Sequence, residues 1–389
     1  MTSPAGTERG PGLAGPRLRP DLGGLPRFRG RPADAGMIAL DSNESPFGPP
    51  TAVLDAIAAA AAGSHRYPDN SAAELTARLA ERYRVAPECV SLGAGSVSLC
   101  LQLIQIACAA GDEVLVPWRS FEVYPALAGI AGAVVRQVPL TARHTLDLPA
   151  MAAAITDRTR LVFVCSPNNP TGTALSRTEV ERFIAEVPPQ VLIVLDEAYA
   201  EFAAGPDPLD GVGLVRERLR QGRGNVVALR TFSKAYGLAG LRVGYCVSAE
   251  PVADLLGRVA VPYAVTALAQ RAALAALDGQ PELLRRARWI AGERDRVRTA
   301  LLDGGWEVPE SAANFLWLPI GSAAVPFAGH CRDRRVLVRA FPDEGVRVTV
   351  GSAAENAALL AAAQSFAGAV PVTAAGRPAS SRTSWRRTS

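Results

Sequence analysis

Residues 225–245 read NVVALRTFSKAYGLAGLRVGY, a stretch that joins an apolar, strand-like run to a lysine. Further apolar runs, with helical patterns between them, lie at 114–117, 161–166, 191–196 and 244–247. Uninterrupted apolar strands that alternate with helices predict a buried, mostly parallel sheet covered on both faces. The fold class that follows is α/β.

Lys234 is the only lysine among 41 basic residues, since the others are all arginines. An arginine stays protonated, whereas a lysine amine can lose its proton, attack a carbonyl carbon and form an imine. This chemistry explains why one lysine is kept, although chance retention of a surface lysine is the alternative. A phosphate-binding GxxxxGK[ST] loop is excluded because no glycine lies in the six residues before Lys234.

Polar side chains follow three of the predicted strands where each strand ends. Asn169 follows the run at 161–166, Asp196 and Tyr199 follow the next run, and Lys234 follows the third. The carboxyl ends of parallel strands meet at one edge of a sheet, where ligands gather. Pyridoxal phosphate needs such a set: a lysine for its aldehyde, a carboxylate for its pyridine nitrogen and donors for its phenolate oxygen. Taken singly, these segments could be ordinary turns or the start of a solvated helix.

A phosphate site is predicted before the helical pattern that starts near residue 96. Gly95 and Ser96 would offer backbone N–H groups at the positive end of a helix dipole. Thr231 and Ser233 carry hydroxyl groups close to the lysine, and Arg242 follows it within the stretch 225–245. A dinucleotide fingerprint is the weaker interpretation because the third glycine of GxGxxG is missing.

Composition excludes several classes of protein. A length of 389 residues fits two domains, or one large α/β domain with an appendage, and 49% hydrophobic residues exclude wholesale disorder. The 41 basic and 37 acidic residues leave a net charge of only +4, so no nucleic-acid partner is expected.

Metal binding and membrane insertion are not expected either. The three histidines (His65, His144 and His330) lie far apart, and the six cysteines include no CxxC pair, which predicts reduced thiols and no metal site. No run approaches the ~20 apolar residues of a membrane helix. The N-terminal residues lack the apolar run of a signal peptide, so we expect a soluble, cytoplasmic protein.

The pattern also predicts how the chain is divided. We expect an irregular N-terminal arm at 1–36, a large cofactor-binding domain at 61–250 and a disordered tail at 369–389. Residues 37–60 with 251–368 would form a smaller α+β domain.

Two capping boxes are predicted at helix starts. One runs from Ser71 to Glu74 and would open a helix that extends through Arg84, and the other runs from Ser176 to Glu179.

Three stretches, SPNNPTG, DEAYAEF and TFSKAYGLAGLRVGY, resemble fold-type-I pyridoxal-phosphate aminotransferases of class I and II, within the histidinol-phosphate aminotransferase-like group. The resemblance extends from residue 42 to residue 356. Three further phrases, RYPDN (66–70), GAGSVSLC (93–100) and WRSFEVYP (118–125), resemble the actinobacterial branch of aromatic amino acid aminotransferases.

The resemblance implies roles for residues that composition does not single out. Phe121 would stack on the cofactor ring, and Arg119 stands where the family usually has a proline. Tyr67 of RYPD would reach the cofactor phosphate of a neighbouring subunit, which implies a homodimer. Arg347 would bind the substrate α-carboxylate with a bidentate geometry, and two further residues would contact substrate, namely Arg339 and Asn43.

The resemblance further implies an enzyme that moves an amino group between an aromatic amino acid and a 2-oxo acid such as 2-oxoglutarate. Lys234 would hold the cofactor and move the proton, Asp196 would keep the pyridine nitrogen charged, and Tyr199 would assist. A histidinol-phosphate aminotransferase is the alternative, because both groups carry both pocket arginines. A decarboxylase of the same fold is a third interpretation. A binding protein without catalytic activity is a further alternative, but such a protein would be expected to have lost its lysine.

Overall fold

The computed structural model describes residues 19–27 and 36–366. The predicted tail at 369–389 lies outside these residues, and so does most of the predicted arm at 1–36. The strands in chain order are β1 (Ile38–Ala39), β2 (Val90–Gly93), β3 (Glu113–Trp118), β4 (Val134–Pro139), β5 (Thr159–Cys165), β6 (Leu192–Asp196), β7 (Val226–Thr231), β8 (Gly244–Val247), β9 (Phe315–Gly321), β10 (Val336–Leu337), β11 (Arg339–Phe341) and β12 (Glu344–Thr349).

The helices in chain order are α1 (Thr51–Ala61), α2 (Ala73–Tyr83), α3 (Ser96–Ala107), α4 (Val123–Ala131), α5 (Leu148–Ala153), α6 (Arg177–Glu186), α7 (Gly211–Arg220), α8 (Glu250–Val259), α9 (Ala267–Asp278), α10 (Gln280–Asp303), α11 (Ala324–Asp333) and α12 (Ala353–Phe366). Short 3-10 turns occur at Pro20–Gly24, Pro87–Cys89, Ala200–Phe202 and Ala239–Leu241. Within the described part of the chain, no helix is long and apolar enough to cross a membrane.

The largest sheet has seven strands in the order β2-β8-β7-β6-β5-β3-β4. Strand β8 runs antiparallel to both of its neighbours, and the other pairings are parallel. The predicted mostly parallel α/β sheet is therefore confirmed.

Both faces of this sheet are buried, which is why its strands are apolar at successive positions. In β5, Val162 and Val164 pack in the core on one face together with residues of α5, α6 and α7. Leu161 and Phe163 point to the opposite face and pack with residues of α3, α4 and α8.

A second sheet of three antiparallel strands has the order β11-β12-β9. Leu316 and Leu318 of β9 pack with Val346 and Val348 of β12 in a core shared with α10, α11 and α12. Strand side chains alternate between faces, so Arg347 lies on the face away from these helices.

Helices α8 and α9 pack with the elements that precede them in the chain. Leu256 of α8 lies in the same core cluster as Leu99 of α3, and Ala272 of α9 lies in a cluster with Val53 of α1. Both helices thus follow residue 250 in sequence but contact the earlier part of the chain. The division into domains at 37–60 with 251–368 and at 61–250 stays a prediction.

The two predicted capping boxes have opposite outcomes. Ser176 caps α6 and forms the full reciprocal box with Glu179, as predicted. The box from Ser71 to Glu74 is wrong, because α2 begins at Ala73 and Asp69 accepts hydrogen bonds from the backbone N–H groups of Ser71 and Ala73. The Ser71 hydroxyl donates to the same carboxylate at 2.7 Å, so a charged acceptor replaces the serine as the cap.

Candidate active site

One cavity lies beyond the carboxyl ends of β5, β6 and β7, at the edge of the sheet where ligands of parallel sheets gather. Cys165 at the end of β5 pairs in register with Asp196 at the end of β6, which aligns the loops that follow them. Most of the predicted site residues line this cavity, namely Ser96, Phe121, Asn169, Asp196, Tyr199, Thr231, Ser233, Lys234 and Arg242.

The Lys234 amine donates hydrogen bonds to the backbone carbonyl oxygens of Ser42 and Asn43, at 3.2 and 3.1 Å. The pKa of Lys234 is lowered from 10.5 to about 7, chiefly by burial and also by the positive charges of Arg347 and Arg242. Near neutral pH a large fraction of this amine is therefore uncharged, which is the form that attacks a carbonyl carbon and accepts a proton.

Asp196 is buried at the end of β6 and accepts two hydrogen bonds. The Tyr124 hydroxyl donates to its Oδ2 at 2.5 Å, and the backbone N–H of Ala198 donates to its Oδ1 at 3.2 Å. Burial raises the pKa of Asp196, while both hydrogen bonds oppose that increase by stabilising the carboxylate. A cationic partner would strengthen the charged form in the same way.

Tyr124 is a site residue that the sequence prediction missed. Its ring is fully buried, stacks on Phe163 at 4.1 Å between ring centroids, and meets the edge of Phe121 at 5.4 Å. Tyr124 lies in the first turn of α4, inside the phrase WRSFEVYP that carried part of the family resemblance. That phrase contained no signal of its contact with Asp196, which is 72 residues away in sequence.

Tyr199 and Asn43 connect two distant segments at the cavity. The side-chain amide of Asn43 donates to the Tyr199 hydroxyl at 2.9 Å, and the Asn43 backbone N–H donates to the Thr349 hydroxyl at 2.8 Å. Burial raises the pKa of Tyr199 to about 12. The phenol therefore keeps its proton at neutral pH and can donate it to an acceptor in the cavity.

Arg347 approaches the cavity from β12 and is nine-tenths buried. Its Nη1 donates to Oδ1 of Asn169 at 2.6 Å, and its Nη2 donates to the backbone oxygen of Asp41 at 2.6 Å. Its Nε has no hydrogen-bond partner among the described residues. A buried donor without a partner is costly, so a ligand carboxylate that accepts from Arg347 would satisfy it.

The backbone around Gly95 is closely packed against Arg242. Gly95 has φ +77°, and a Cβ atom there would lie 2.4 Å from Nη2 of Arg242. A Cβ atom on Gly244 would lie 2.5 Å from the backbone nitrogen of Ser96, the first residue of α3. Only glycine permits this approach, which brings a guanidinium to the N-terminus of a helix.

Two hydroxyl groups complete the polar wall of the cavity. The Thr231 hydroxyl donates to the Ser233 hydroxyl at 3.0 Å and accepts from the Ser233 backbone N–H at 3.1 Å. Together with Arg242 and the start of α3, these groups could hold an anion such as the phosphate of pyridoxal phosphate. Among residues 19–27 and 36–366, no group of three or more His, Cys, Asp or Glu side chains could hold a metal ion.

Five predicted residues do not line the cavity themselves. Gly95 precedes Ser96, Asn43 binds Tyr199 and Arg347 binds Asn169, so these three adjoin the lining, whereas Tyr67 and Arg339 lie further out. Tyr67 is 82% exposed and stacks on Tyr263, with 4.6 Å between the ring centroids. Arg339 lies on β11, where its Nη2 donates to Oε1 of Glu122 at 2.6 Å. Glu122 was missed by the sequence prediction, although it directly follows Phe121.

A buried lysine, a buried carboxylate and an anion-binding helix start, all at one edge of a mostly parallel sheet, define the class of fold-type-I transferases. The chain belongs to the aminotransferase class I and II family, whose family model matches residues 35–363. The predicted family and fold class are therefore confirmed.

Relatives with known names agree with this assignment. The chain is 53% identical over 350 residues to the aromatic amino acid aminotransferase of Rhodococcus jostii, covering 90% of this chain and 96% of that protein. It is 50% identical over 355 residues to the protein of the same name from Streptomyces coelicolor, covering 90% and 98%. A solved structure of histidinol-phosphate aminotransferase from Sinorhizobium meliloti, in complex with pyridoxal-5'-phosphate, is 29% identical with a TM-score of 0.83 and covers 92% of this chain and 99% of that one.

Proposed function

We propose that the protein is an aminotransferase that uses pyridoxal 5'-phosphate to move an amino group between an aromatic amino acid and a 2-oxo acid such as 2-oxoglutarate. The observation that carries this proposal is that Lys234 and Asp196 line one cavity and that Arg347 donates a hydrogen bond to Asn169, which lines the same cavity. The aromatic preference is supported by the names of the relatives at 50 to 53% identity.

The residues of the cavity fit this cofactor. Asp196 would face the ring nitrogen, Asn169 and Tyr199 would donate to the ring oxygen, Phe121 would cover the ring, and Lys234 would hold the aldehyde carbon. When bound, the cofactor supplies an electron sink that stabilises negative charge at the substrate Cα. The phosphate would lie against the surface formed by Gly95, Ser96, Thr231, Ser233 and Arg242.

This chain's residues would then perform three tasks. Lys234, with its pKa near neutrality, would accept the proton from the substrate Cα and return it to the cofactor's aldehyde carbon. The carbonyl oxygens of Ser42 and Asn43 accept hydrogen bonds from the free amine and so orient it. Arg347 would bind the α-carboxylate and so orient the substrate; its Nε, which has no partner among the described residues, would supply one of the two donors.

A panel of half-reactions tests the substrate proposal. Phenylalanine, tyrosine, glutamate and histidinol phosphate would each be mixed with holoenzyme while the cofactor's absorbance is followed. We expect phenylalanine or tyrosine to react with a kcat/KM at least tenfold above that of histidinol phosphate, because burying a ring contributes roughly 1.5 to 3 kcal/mol. A higher kcat/KM for histidinol phosphate would favour the second candidate, histidinol-phosphate aminotransferase, which the Sinorhizobium meliloti structure supports.

We also propose a homodimer in which Tyr67 reaches the cofactor phosphate of the partner subunit. In support, Tyr67 and Tyr263 form an exposed aromatic pair, and Val261, two residues before Tyr263 in sequence, is 68% exposed. An exposed apolar group of this kind is typical of an interface.

The six cysteines are free thiols, which supports a reducing compartment such as the cytoplasm.

A further inference from the structure

Two arginines stand directly opposite each other on adjacent strands near the cavity. Arg339 of β11 and Arg347 of β12 are register partners in an antiparallel pair, so their side chains lie on the same face. Trp317 of β9 is the next register partner in the row and lies on that face too. Like charges placed opposite one another repel, so the charge of Arg339 needs compensation.

Glu122, which directly precedes α4, supplies that compensation. Its carboxylate accepts from Nη2 of Arg339 at 2.6 Å, and it directly follows Phe121, whose ring lines the cavity. Both charges affect Arg347, whose pKa is lowered chiefly by burial, with Arg339 lowering it further and Glu122 opposing that change. The three charged groups therefore interact at one end of the site.

A second ion pair lies beside the first. Arg119 donates from Nε to Glu344 at 2.8 Å and lies over the ring of Trp118, with 4.2 Å from its Cζ to the ring centroid. Of the three arginines in this region, Arg119 and Arg339 thus have carboxylate partners. Arg347 binds an amide oxygen and a backbone carbonyl oxygen instead, and forms no ion pair within the described residues.

We propose that Glu122 is a specificity-determining residue, which neutralises Arg339 so that the site favours substrates with an uncharged aromatic side chain over amines that carry a phosphate. The proposal rests on the proposed function, because it assigns to Glu122 the choice between the two candidate substrate classes.

The physical reason is a count of charges. Arg347, which forms no ion pair within the described residues, matches one α-carboxylate, and an aromatic ring leaves the Glu122–Arg339 pair intact. A phosphate monoester carries a charge of roughly −1.5 to −2 at neutral pH and would have to displace Glu122 from Arg339. The displaced carboxylate would remain close to the phosphate, so repulsion would oppose binding. A second carboxylate, as in 2-oxoglutarate, would meet the same opposition at a lower charge.

The charge argument is tested by measuring the Kd of three unreactive ligands for the holoenzyme by calorimetry. The ligands are 3-phenylpropionate, glutarate and 3-phosphonopropionate, which share one carboxylate and differ in the charge at the other end. They would be titrated into the wild type, Glu122→Gln and the matched control Glu344→Gln, which removes the neighbouring carboxylate and leaves Arg339 paired. Because these ligands do not react, the measurement is independent of transaminase activity.

In Glu122→Gln we expect the Kd of 3-phosphonopropionate to fall about tenfold, that of glutarate to fall less, and that of 3-phenylpropionate to change less than twofold. Glu122→Asp, which keeps the charge, should retain the wild-type ratios, and Arg339→Gln should change them in the opposite direction. The proposal is overturned if the ratio of phosphonate to phenyl Kd is unchanged in Glu122→Gln, or if Glu344→Gln changes it equally. Failure of the proposed function is a separate result, namely no half-reaction with phenylalanine.

Discussion

The Tyr124 hydroxyl donates a hydrogen bond to Oδ2 of Asp196 at 2.5 Å, and both side chains are buried. Hydrogen bonds to a charged group stabilise it by roughly 1.5 to 3 kcal/mol. In Tyr124→Phe, Asp196 should therefore hold its charge, and with it the protonated ring nitrogen of the cofactor, less firmly. We predict a decrease in kcat of about tenfold and a changed pH dependence of the holoenzyme absorbance.

Two variants calibrate this result. Asp196→Asn removes the charge itself and should lower kcat by several orders of magnitude while cofactor still binds. Tyr83→Phe removes a partly buried contact between two phenols, to Tyr245 at 2.5 Å, away from Asp196. An absorbance profile of Tyr124→Phe that matches the wild type would contradict a role for Tyr124 in holding the charge of Asp196.

The lowered pKa of Lys234 predicts how the apoprotein takes up cofactor as pH changes. The uncharged amine is the reactive form, and burial lowers its pKa from 10.5 to about 7. The rate of covalent uptake of pyridoxal phosphate should therefore rise with pH and reach half of its maximum near pH 7. Stopped-flow absorbance of apoprotein mixed with cofactor measures this rate directly.

Lys234→Arg is the control for covalent attachment. It keeps the positive charge and should retain the fold, but it cannot bind the aldehyde covalently. Borohydride reduction and peptide mapping should place the cofactor on Lys234 in the wild type and on no internal residue of the variant. A half-maximal rate above pH 9 would mean that the amine is not desolvated as the structure indicates.

The proposed role of Tyr67 predicts complementation between two defective subunits. In a mixed dimer of Lys234→Arg and Tyr67→Ala chains, one site would combine an intact Lys234 with an intact Tyr67 from the partner. We expect this dimer, purified with two different tags, to recover close to half of the wild-type activity, although each homodimer is impaired. If Tyr67 acted within its own chain, mixing would restore nothing.

The sequence was sufficient for the main features of the fold because they depend on local patterns. Apolar runs predicted five of the seven strands of the large sheet, all except β2 and β4, and the Ser176 capping box formed as expected. The box at Ser71 failed because a nearby carboxylate, Asp69, binds the same backbone donors more strongly than a hydroxyl does. Local sequence alone does not show which of several nearby acceptors binds the backbone N–H groups most strongly.

The site was predicted in part for a similar reason. Residues at strand ends could be placed because parallel strands end at one edge, and the lone Lys234 stood out by its type. Tyr124 and Glu122 were missed because their partners, Asp196 and Arg339, lie 72 and 217 residues away in sequence. Only the packing of α4 and the register of the second sheet bring these groups together.

Arg347 should be needed for substrates that carry an α-carboxylate and dispensable for amines that lack one. Two charge-assisted hydrogen bonds to a carboxylate contribute roughly 3 kcal/mol, which corresponds to about 100-fold in kcat/KM. We predict that Arg347→Ala lowers kcat/KM for phenylalanine and for glutamate by about this factor. Arg347→Lys should recover only part of it, since an ammonium group cannot reproduce the bidentate geometry.

The matched substrate is 2-phenylethylamine, which has the same ring and amine as phenylalanine without the carboxylate. Its half-reaction with Arg347→Ala should proceed within about threefold of its rate with the wild type, since no carboxylate contact is lost. Arg347 also donates to Asn169, so cofactor affinity must be measured in the same samples. Equal losses for phenylalanine and 2-phenylethylamine would show that Arg347 acts by supporting Asn169 and the cofactor, whereas a loss confined to phenylalanine and glutamate identifies it as the carboxylate-binding residue.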